Sequence, residues 1–335
     1  MVSFMNVLVV GAGSMGGHHV RVYSEMPEVE RVVVADPSPD AAKKFKENPK
    51  VVCYDSIKEA LYKEEVVGAS VAVPTALHYQ VGEEFVERGI PTLMEKPLCD
   101  SLKDGAKLIA LAKKRNVLLM TGHLERFNPA IQALKENLKM LGKPVYASTH
   151  RYGIPSFRKL GDALYDLAVH DVDLLSFLTG ERPTFVSAIE RRVLEKDSND
   201  LCAALFEFDG FTASVEANRV APIKIREMTF VGTEGVARVD YTAQELSILR
   251  LSEIPKEYHE YKTFNELVSR AGRGNELRMF IRKDEPLRIE LRHFLDCCRG
   301  KAQPQVTAID GLYAVAAAEA ASKAAKSGKR EKVVV

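Results

Sequence analysis

The chain has 335 residues, with 47 basic and 46 acidic side chains and a formal net charge of +1. This length exceeds what one hydrophobic core usually supports, so two domains are expected. A nearly neutral chain has no global field that would attract polyanions, which argues against nucleic acid as a partner.

The N-terminal third alternates short apolar strands with amphipathic helices. The strands are too continuously apolar to have a solvated face, which is typical of a parallel sheet covered on both sides. Helices are predicted at residues 77–87 and 102–112, where apolar side chains recur at a period near 3.6. This alternation predicts right-handed βαβ units and a doubly wound parallel sheet of the α/β class. The predicted strands are residues 6–10, 31–35, 68–73, 91–94 and 117–121.

A glycine-rich stretch, GAGSMGGHH, follows the first predicted strand. Gly11, Gly13 and Gly16 fit G-x-G-x-x-G, and Asp36 ends the next strand 20 residues after Gly16. A strand before the glycines, a helix after them and this acidic residue together predict a dinucleotide-binding loop, with an ordinary structural turn as the alternative. The helix N-terminus would offer N–H groups to the pyrophosphate.

Asp36 also indicates which dinucleotide binds. Its carboxylate would accept hydrogen bonds from the adenosine ribose and repel a 2'-phosphate, so NAD is expected and NADP is less favoured. Arg31 and Lys43 lie nearby in the sequence and weaken that preference.

Two further segments, Pro74-Thr75 and Glu95-Lys96-Pro97, end the fourth and fifth strands. Open sheets bind ligands at the carboxyl ends of their strands, so both segments are expected to face the cofactor. Lys96, between a buried strand and a proline, is a candidate acid–base group, and an ion pair with Glu95 is an equally good interpretation. The predicted cofactor-binding residues are Gly11, Gly13, Ser14, Met15, Gly16, Asp36, Pro74, Thr75, His78, Glu95, Lys96 and Pro97.

After residue 122 the pattern changes from alternation to consecutive strands. Helices at residues 129–141 and 164–178 flank a strand at 145–151, and two helices, one starting near Pro286 and one at 311–326, close the chain. The run of strands between them predicts an α+β domain with a mostly antiparallel sheet. The strands of this run are residues 184–193, 201–208, 211–218, 226–231, 237–241 and 246–251.

The predicted helix at residues 164–178 carries a group of acid–base side chains. In an α-helix, Asp166, His170 and Asp173 fall at i, i+4 and i+7 and share one face. A carboxylate one turn before a histidine can orient its imidazole. From the residues alone, a catalytic face and an ordinary packed histidine are equal alternatives.

The motifs GAGSMG, PTALH and MEKPL, in this order, resemble the Gfo/Idh/MocA family of oxidoreductases, and the resemblance extends over essentially the whole chain. It implies an NAD(P)-binding Rossmann domain at residues 1–122, followed at 123–335 by a domain for substrate binding and oligomerisation with an open-faced sheet. It also implies hydride transfer from a sugar or cyclitol hydroxyl to nicotinamide, with Lys96 a catalytic residue. Asp166 and His170 match the Asp-x-x-x-His of the family. Either His170 or Lys96 is then expected to take the hydroxyl proton while the other polarises the oxygen.

Two local stretches bear on the substrate. GHLERFNPAI at residues 122–131 and DLAVHDVDLL at 166–175 are similar to the branch that oxidises the 3-hydroxyl of UDP-N-acetylglucosamine or a relative. Inositol, free hexose or deoxy-sugar dehydrogenation and a non-catalytic dinucleotide-binding sensor remain alternatives. The residues implied to bind substrate are Lys96, Arg126, Asn128, Arg151, Tyr152, Asp166 and His170.

A nucleotide sugar needs cations for its diphosphate. Several basic residues of the second domain are candidates for that role, and a solvated sheet face is the alternative interpretation of the same side chains. These candidates are Arg151, Arg158, Lys159, Arg219, Lys224 and Arg226.

The remaining expectations concern location, metals and assembly. The first ten residues lack a basic n-region, and the sequence has no run of about 18 apolar residues, so a cytoplasmic protein without a membrane partner is expected. The five cysteines show no C-x-x-C spacing, which favours reduced thiols over a disulfide or zinc site. No metal is expected, and the family's open sheet face implies a homodimer or homotetramer.

Overall fold

The computed structural model describes residues 5–155, 161–194, 197–250 and 275–335. The chain forms two compact units. The first contains Met1–Phe127 and Asp284–Ala316, together with the terminal Val335, and the second contains Asn128–Lys283 and Ala317–Val334. The first unit therefore includes a C-terminal segment that the expected boundary at residue 122 assigned to the second domain.

The strands of the described residues belong to two sheets. The first sheet takes β1 to β6, and the second takes β7 to β15. They are β1 (Met5–Val10), β2 (Val29–Ala35), β3 (Val51–Tyr54), β4 (Ala69–Val71), β5 (Thr92–Glu95), β6 (Leu119–Gly122), β7 (Pro144–Tyr152), β8 (Phe185–Arg191), β9 (Leu201–Glu207), β10 (Thr212–Asn218), β11 (Ile225–Gly232), β12 (Gly235–Asp240), β13 (Glu245–Arg250), β14 (Glu276–Arg278) and β15 (Glu331–Lys332).

The α-helices of the same residues begin in several cases at a side-chain cap. Ser38, Ser56 and Ser101 each accept a hydrogen bond from an N–H group of the first turn of the helix that follows. Within the described part of the chain, no helix has the length and apolar character needed to cross a bilayer. The α-helices are α1 (Ser14–Glu25), α2 (Pro39–Phe45), α3 (Ile57–Lys63), α4 (His78–Glu87), α5 (Leu102–Arg115), α6 (Pro129–Asn137), α7 (Val169–Thr179), α8 (Pro286–Cys298) and α9 (Ala308–Ser327).

The first unit is built on a six-stranded parallel sheet in the order β3-β2-β1-β4-β5-β6. Alternate residues of β1 enter two hydrophobic clusters, Val7 and Val9 one cluster and Leu8 and Val10 the other. Both faces of the strand are therefore buried, which explains its continuous apolar sequence. The predicted Rossmann class is confirmed. Strand β3 and helices α2 and α3 were not predicted, because segments this short show no clear period.

The second unit is built on a nine-stranded sheet in the order β14-β13-β12-β11-β7-β10-β9-β8-β15. Its neighbouring strands are antiparallel except for the parallel pair β7 and β10, so the predicted mostly antiparallel sheet is confirmed. One face of the sheet packs into a cluster with α6, α7 and the second half of α9. Tyr146, Ile189 and Leu205 remain exposed, and they alternate along their strands with residues of that cluster. Leu251, the last residue of one predicted strand, lies outside the described residues.

The predicted helix at residues 164–178 is not a continuous α-helix. Leu164–Ala168 form a π-helix, in which the Val169 N–H bonds to the Leu164 carbonyl, and α7 starts at Val169. A π turn contains more residues than an α turn. Asp166 and His170 are therefore separated by a π turn, so the regular α-helical i, i+4 geometry on which the prediction rested is not what the structure has.

Helix α8 supplies part of the hydrophobic core of the first unit. Leu287, Leu291 and Phe294 are buried in the cluster that contains α1. We expect Phe294→Ala to lower the free energy of unfolding by about 3–5 kcal/mol, because the ring is fully buried. Arg292→Ala, at a half-exposed position on the same helix, should lower it by less than about 1 kcal/mol. Urea titration followed by circular dichroism measures both variants, and equal losses would contradict this packing.

Candidate functional site

The glycine-rich loop joins β1 to α1 at the carboxyl edge of the parallel sheet. Gly11 has a φ of +85°, and a Cβ on Gly16 would lie 1.8 Å from the Gly11 carbonyl oxygen. Only glycine at both positions lets α1 pack this closely. At Gly13, the N-cap of α1, a Cβ would meet nothing within 4 Å among the described atoms, and no side chain caps the helix. The N–H groups of the first turn thus lack a side-chain cap, which fits a bound phosphate.

Asp36 follows β2 directly and is hydrogen-bonded to the glycine-rich loop. Its Oδ2 accepts a bond of 2.6 Å from the Ala12 N–H, and its Oδ1 accepts one of 2.8 Å from the Ser38 N–H. The Lys44 ammonium donates to the carbonyls of Ala12 and Gly13 at 3.2 and 3.3 Å. A carboxylate, Asp36, and an ammonium group, Lys44, therefore both contact the glycine-rich loop. The sequence analysis identified Asp36 but not Lys44.

The two cations that weakened the expectation of NAD form ion pairs at the surface. Arg31 lies 3.0 Å from the Glu64 carboxylate, and Lys43 lies 3.2 Å from that of Asp40. Both basic side chains are at least half exposed, so these pairs hold them weakly.

The ends of β4 and β5 are joined by a buried histidine. His78 Nδ1 lies 2.8 Å from the Pro97 carbonyl oxygen, and its Nε2 lies 3.0 Å from the Val73 carbonyl oxygen. These contacts connect the segment before Pro74-Thr75 to the segment that carries Lys96. His78, predicted to contact the cofactor, thus has both ring nitrogens within hydrogen-bond distance of backbone carbonyls and holds the two segments together.

Lys96 is half-buried and follows a buried glutamate. Glu95 Oε1 lies 2.9 Å from His19 Nε2, and Glu95 Oε2 accepts a bond of 3.1 Å from the Lys96 N–H. Burial raises the pKa of Glu95, but the hydrogen bond and charge of His19, together with Lys96, outweigh it and hold the pKa below its usual value. The Lys96–Pro97 peptide bond is cis.

Arg126 and Asn128, both implied to bind substrate, are buried within their own units. Arg126 donates to the Gln305 carbonyl at 3.0 Å and lies 3.3 Å from the Asp310 carboxylate. Asn128 caps α6 and donates to the Tyr241 carbonyl at 2.9 Å. The structure therefore gives both side chains a role in holding backbone segments in place.

Arg151 forms a buried ion pair in the second unit. Its Nε lies 2.6 Å from Asp171 Oδ2, its Nη2 lies 3.1 Å from Asp171 Oδ1, and the Tyr241 hydroxyl donates to the same Oδ1 at 3.2 Å. Arg151 is only 1% exposed. It therefore anchors α7 to the sheet, and this buried pairing does not support the predicted role of Arg151 as a ligand of a substrate diphosphate.

Tyr152, the next residue of β7, points to the opposite face of the sheet from Arg151, because side chains alternate along a strand. Burial and a hydrogen bond to Glu216 raise the pKa of Tyr152 to about 12. Arg151 and Tyr152, both implied to bind substrate, therefore lie on opposite faces of the sheet.

The acid–base residues of the second unit lie at the junction of the π-helix and α7. His170 is 8% exposed and precedes the buried Asp171, and Asp173 is also buried. Asp166 accepts a hydrogen bond of 2.5 Å from Arg219 Nη2. Arg219, a candidate diphosphate ligand, is thus paired with a predicted catalytic residue.

The other candidate ligands of a substrate diphosphate differ in their exposure to solvent. Lys224 is exposed and Arg226 is half-buried, while Arg158 and Lys159 lie outside the described residues. Lys96 belongs to the first unit, and Asp166 and His170 belong to the second.

Two buried residues, one in each unit, were not identified by the sequence analysis, and a pattern was present for only one of them. His19 shares the buried face of α1 with Gly16, Val20 and Tyr23, at helical spacing. A buried histidine requires a polar partner, so that periodicity could have identified it. Asp171 had no comparable pattern, because its partner Arg151 is distant in the sequence.

Comparisons with known proteins agree with this architecture. A model of the Gfo/Idh/MocA oxidoreductase family, NAD-binding Rossmann fold, matches residues 5–123, and the model of that family's C-terminal alpha/beta domain matches residues 135–335. UDP-N-acetylglucosamine 3-dehydrogenase of Acidithiobacillus ferrooxidans is 29% identical over 245 residues, which cover 73% of this chain and 76% of that protein. The scyllo-inositol 2-dehydrogenase (NAD(+)) of Bacillus subtilis is 27% identical over 346 aligned positions, which cover 96% of this chain and 94% of that protein.

Solved structures show the same fold. The structure of the UDP-N-acetylglucosamine 3-dehydrogenase from Acidithiobacillus ferrooxidans superimposes with a TM-score of 0.83 at 26% identity, covering 97% of this chain and 98% of that one. Both family models, the Rossmann sheet and the glycine-rich loop lead to one conclusion: the chain belongs to the Gfo/Idh/MocA family of oxidoreductases and uses a nicotinamide cofactor.

Proposed function

We propose that this protein is an NAD-dependent dehydrogenase that oxidises the 3-hydroxyl of a UDP-N-acetylhexosamine. The observation that carries the proposal is the position of Lys96. It follows β5 at the carboxyl edge of the parallel sheet, beside a buried carboxylate, and the same edge carries the uncapped N-terminus of α1. An open α/β sheet binds its ligands at this edge. The named activity of the 29% identical relative supports the substrate.

Lys96 and His170 are the proposed acid–base groups for the substrate hydroxyl. A nicotinamide bound at this edge would supply the hydride acceptor, its C4 carbon. As the carbinol C–H bond breaks and the C=O bond forms, one of the two side chains takes the hydroxyl proton and the other donates a hydrogen bond to the oxygen. Asp166, which is paired with Arg219, is the third proposed catalytic residue.

Cofactor binding would use the glycine-rich loop and Asp36. The N–H groups at the start of α1 would bind the pyrophosphate, and Gly13 leaves room for its approach. The Asp36 carboxylate, fixed by two backbone N–H groups, would accept the ribose hydroxyls and repel a 2'-phosphate. These contacts favour NAD over NADP.

Asp36→Asn tests this preference. The substitution removes the negative charge and keeps the shape of the side chain, so the ratio of kcat/KM for NAD to that for NADP should fall about tenfold or more. Asp40→Asn removes an exposed charge of the same helix region and should leave the ratio unchanged. Steady-state kinetics with both cofactors measures the effect. An unchanged ratio in Asp36→Asn would remove this residue from cofactor selection.

Lys96→Ala and His170→Ala test the proton transfer. Each should lower kcat by about 100- to 10,000-fold, while NADH still binds as judged by its fluorescence. Lys103→Ala removes an exposed lysine and serves as the control. Full turnover in either test variant would exclude that residue from the mechanism.

A substrate panel tests the remaining part of the proposal. UDP-N-acetylglucosamine, UDP-N-acetylgalactosamine, free hexoses and inositols are compared by NADH absorbance. Inositols are the competing substrates because the inositol dehydrogenase aligns over nearly the whole chain. Oxidation of inositols alone would overturn the assignment to nucleotide sugars, and the absence of any oxidation would favour a dinucleotide-binding sensor.

We further propose that the open sheet face mediates a homodimer or homotetramer. Its exposed Tyr146, Ile189 and Leu205 support this, since large apolar side chains clustered on a surface favour association.

A further inference from the structure

We infer that His19 and Glu95 form a buried positioning pair that holds Lys96 in its reactive place and ties it to the helix that binds the cofactor phosphates. The inference rests on the proposed function to the extent that Lys96 is catalytic. Neither His19 nor Glu95 would touch the sugar or exchange a proton with it.

The contacts form a continuous connection from helix to lysine. His19 lies in the second turn of α1, is fully buried, and its Nε2 is 2.9 Å from Glu95 Oε1. The other carboxylate oxygen, Oε2, accepts the backbone N–H of Lys96 at 3.1 Å. One carboxylate therefore joins α1 to the peptide that carries the lysine.

The surrounding backbone leaves a space for this carboxylate. Gly122, opposite Glu95 on β6, would place a Cβ only 3.2 Å from Glu95 Cδ and 3.3 Å from Oε1. The Tyr23 ring lies edge-on to the His19 ring, with 6.4 Å between the ring centroids. The Tyr23 hydroxyl is hydrogen-bonded to Ser70 Oγ at 2.8 Å, which fixes the aromatic ring against β4. β6 therefore borders the Glu95 carboxylate, and Tyr23 borders the His19 ring.

The charge on Glu95 determines which group donates the hydrogen bond between His19 and Glu95. The pKa of Glu95 lies below its usual value despite burial, so the group is a carboxylate at neutral pH and His19 Nε2–H is the donor. A buried carboxylate without its partner is costly and would rotate or take up a proton. Either change would release the Lys96 N–H.

The two ring nitrogens of His19 allow a matched pair of variants. His19 Nδ1 is buried and has no hydrogen-bond partner among the described residues, whereas Nε2 binds Glu95. The amide of glutamine can reach the position of Nε2, and the shorter amide of asparagine reaches that of Nδ1. His19→Gln should therefore keep the bond to Glu95, and His19→Asn should lose it.

The experiment compares the wild-type protein with His19→Gln, His19→Asn and the control His18→Asn, which changes an exposed neighbour. We expect His19→Asn to lower kcat by about 10- to 100-fold, because small displacements of a catalytic group have effects of this size. The Kd for NADH should change by less than about threefold. His19→Gln and His18→Asn should each stay within about threefold of the wild-type kcat.

A second measurement does not depend on catalysis. Hydrogen–deuterium exchange of the peptide that contains Lys96 should be faster in His19→Asn than in His19→Gln, since the Lys96 N–H loses its acceptor. If the wild-type protein oxidises a sugar and the two His19 variants have equal kcat, the inference is wrong and the proposed function stands. If the wild-type protein oxidises nothing, the proposed function fails, and equal exchange in the two variants would still overturn the positioning pair.

Discussion

The close approach of α1 to the ends of β1 and β4 is the constraint on which the first unit's functional edge depends. It requires glycine at Gly16, because a Cβ there would collide with the Gly11 carbonyl, and at Gly11, whose φ is positive. This packing presents the helix N-terminus at the sheet edge and buries the face that carries His19. The same helix can therefore bind phosphate at its first turn and reach Glu95 from its second.

A buried ion pair has the equivalent role in the second unit. Arg151 and Asp171 are almost fully buried, so each needs the other to offset the loss of hydration. Their two hydrogen bonds fix α7 against β7, and His170 is the residue next to Asp171. A basic side chain that resembled a diphosphate ligand thus serves to position the histidine's helix.

The class of reaction follows from the family, and the arrangement of the sheet edge follows from the structure. The two family models establish an oxidoreductase that uses a nicotinamide cofactor. The structure shows which contacts fix the carboxyl edge of the parallel sheet. His78 joins two strand ends through backbone carbonyls, and Glu95 accepts a hydrogen bond from the Lys96 N–H. Relatives at similar identity act on a UDP-sugar and on an inositol, so substrate preference depends on side chains that differ within the family.

The sequence by itself determined the features that depend on local pattern. Apolar strands alternating with helices predicted the parallel sheet, and the spacing of Gly11, Gly13, Gly16 and Asp36 predicted the dinucleotide-binding loop. Both predictions were possible because periodicity and backbone conformation depend on residues that are close in the sequence. Tertiary structure alone decided which polar side chains meet. Arg151 with Asp171, and His19 with Glu95, are separated by 20 and 76 positions. The fold brings the members of each pair together, and burial then makes an unpaired polar group costly.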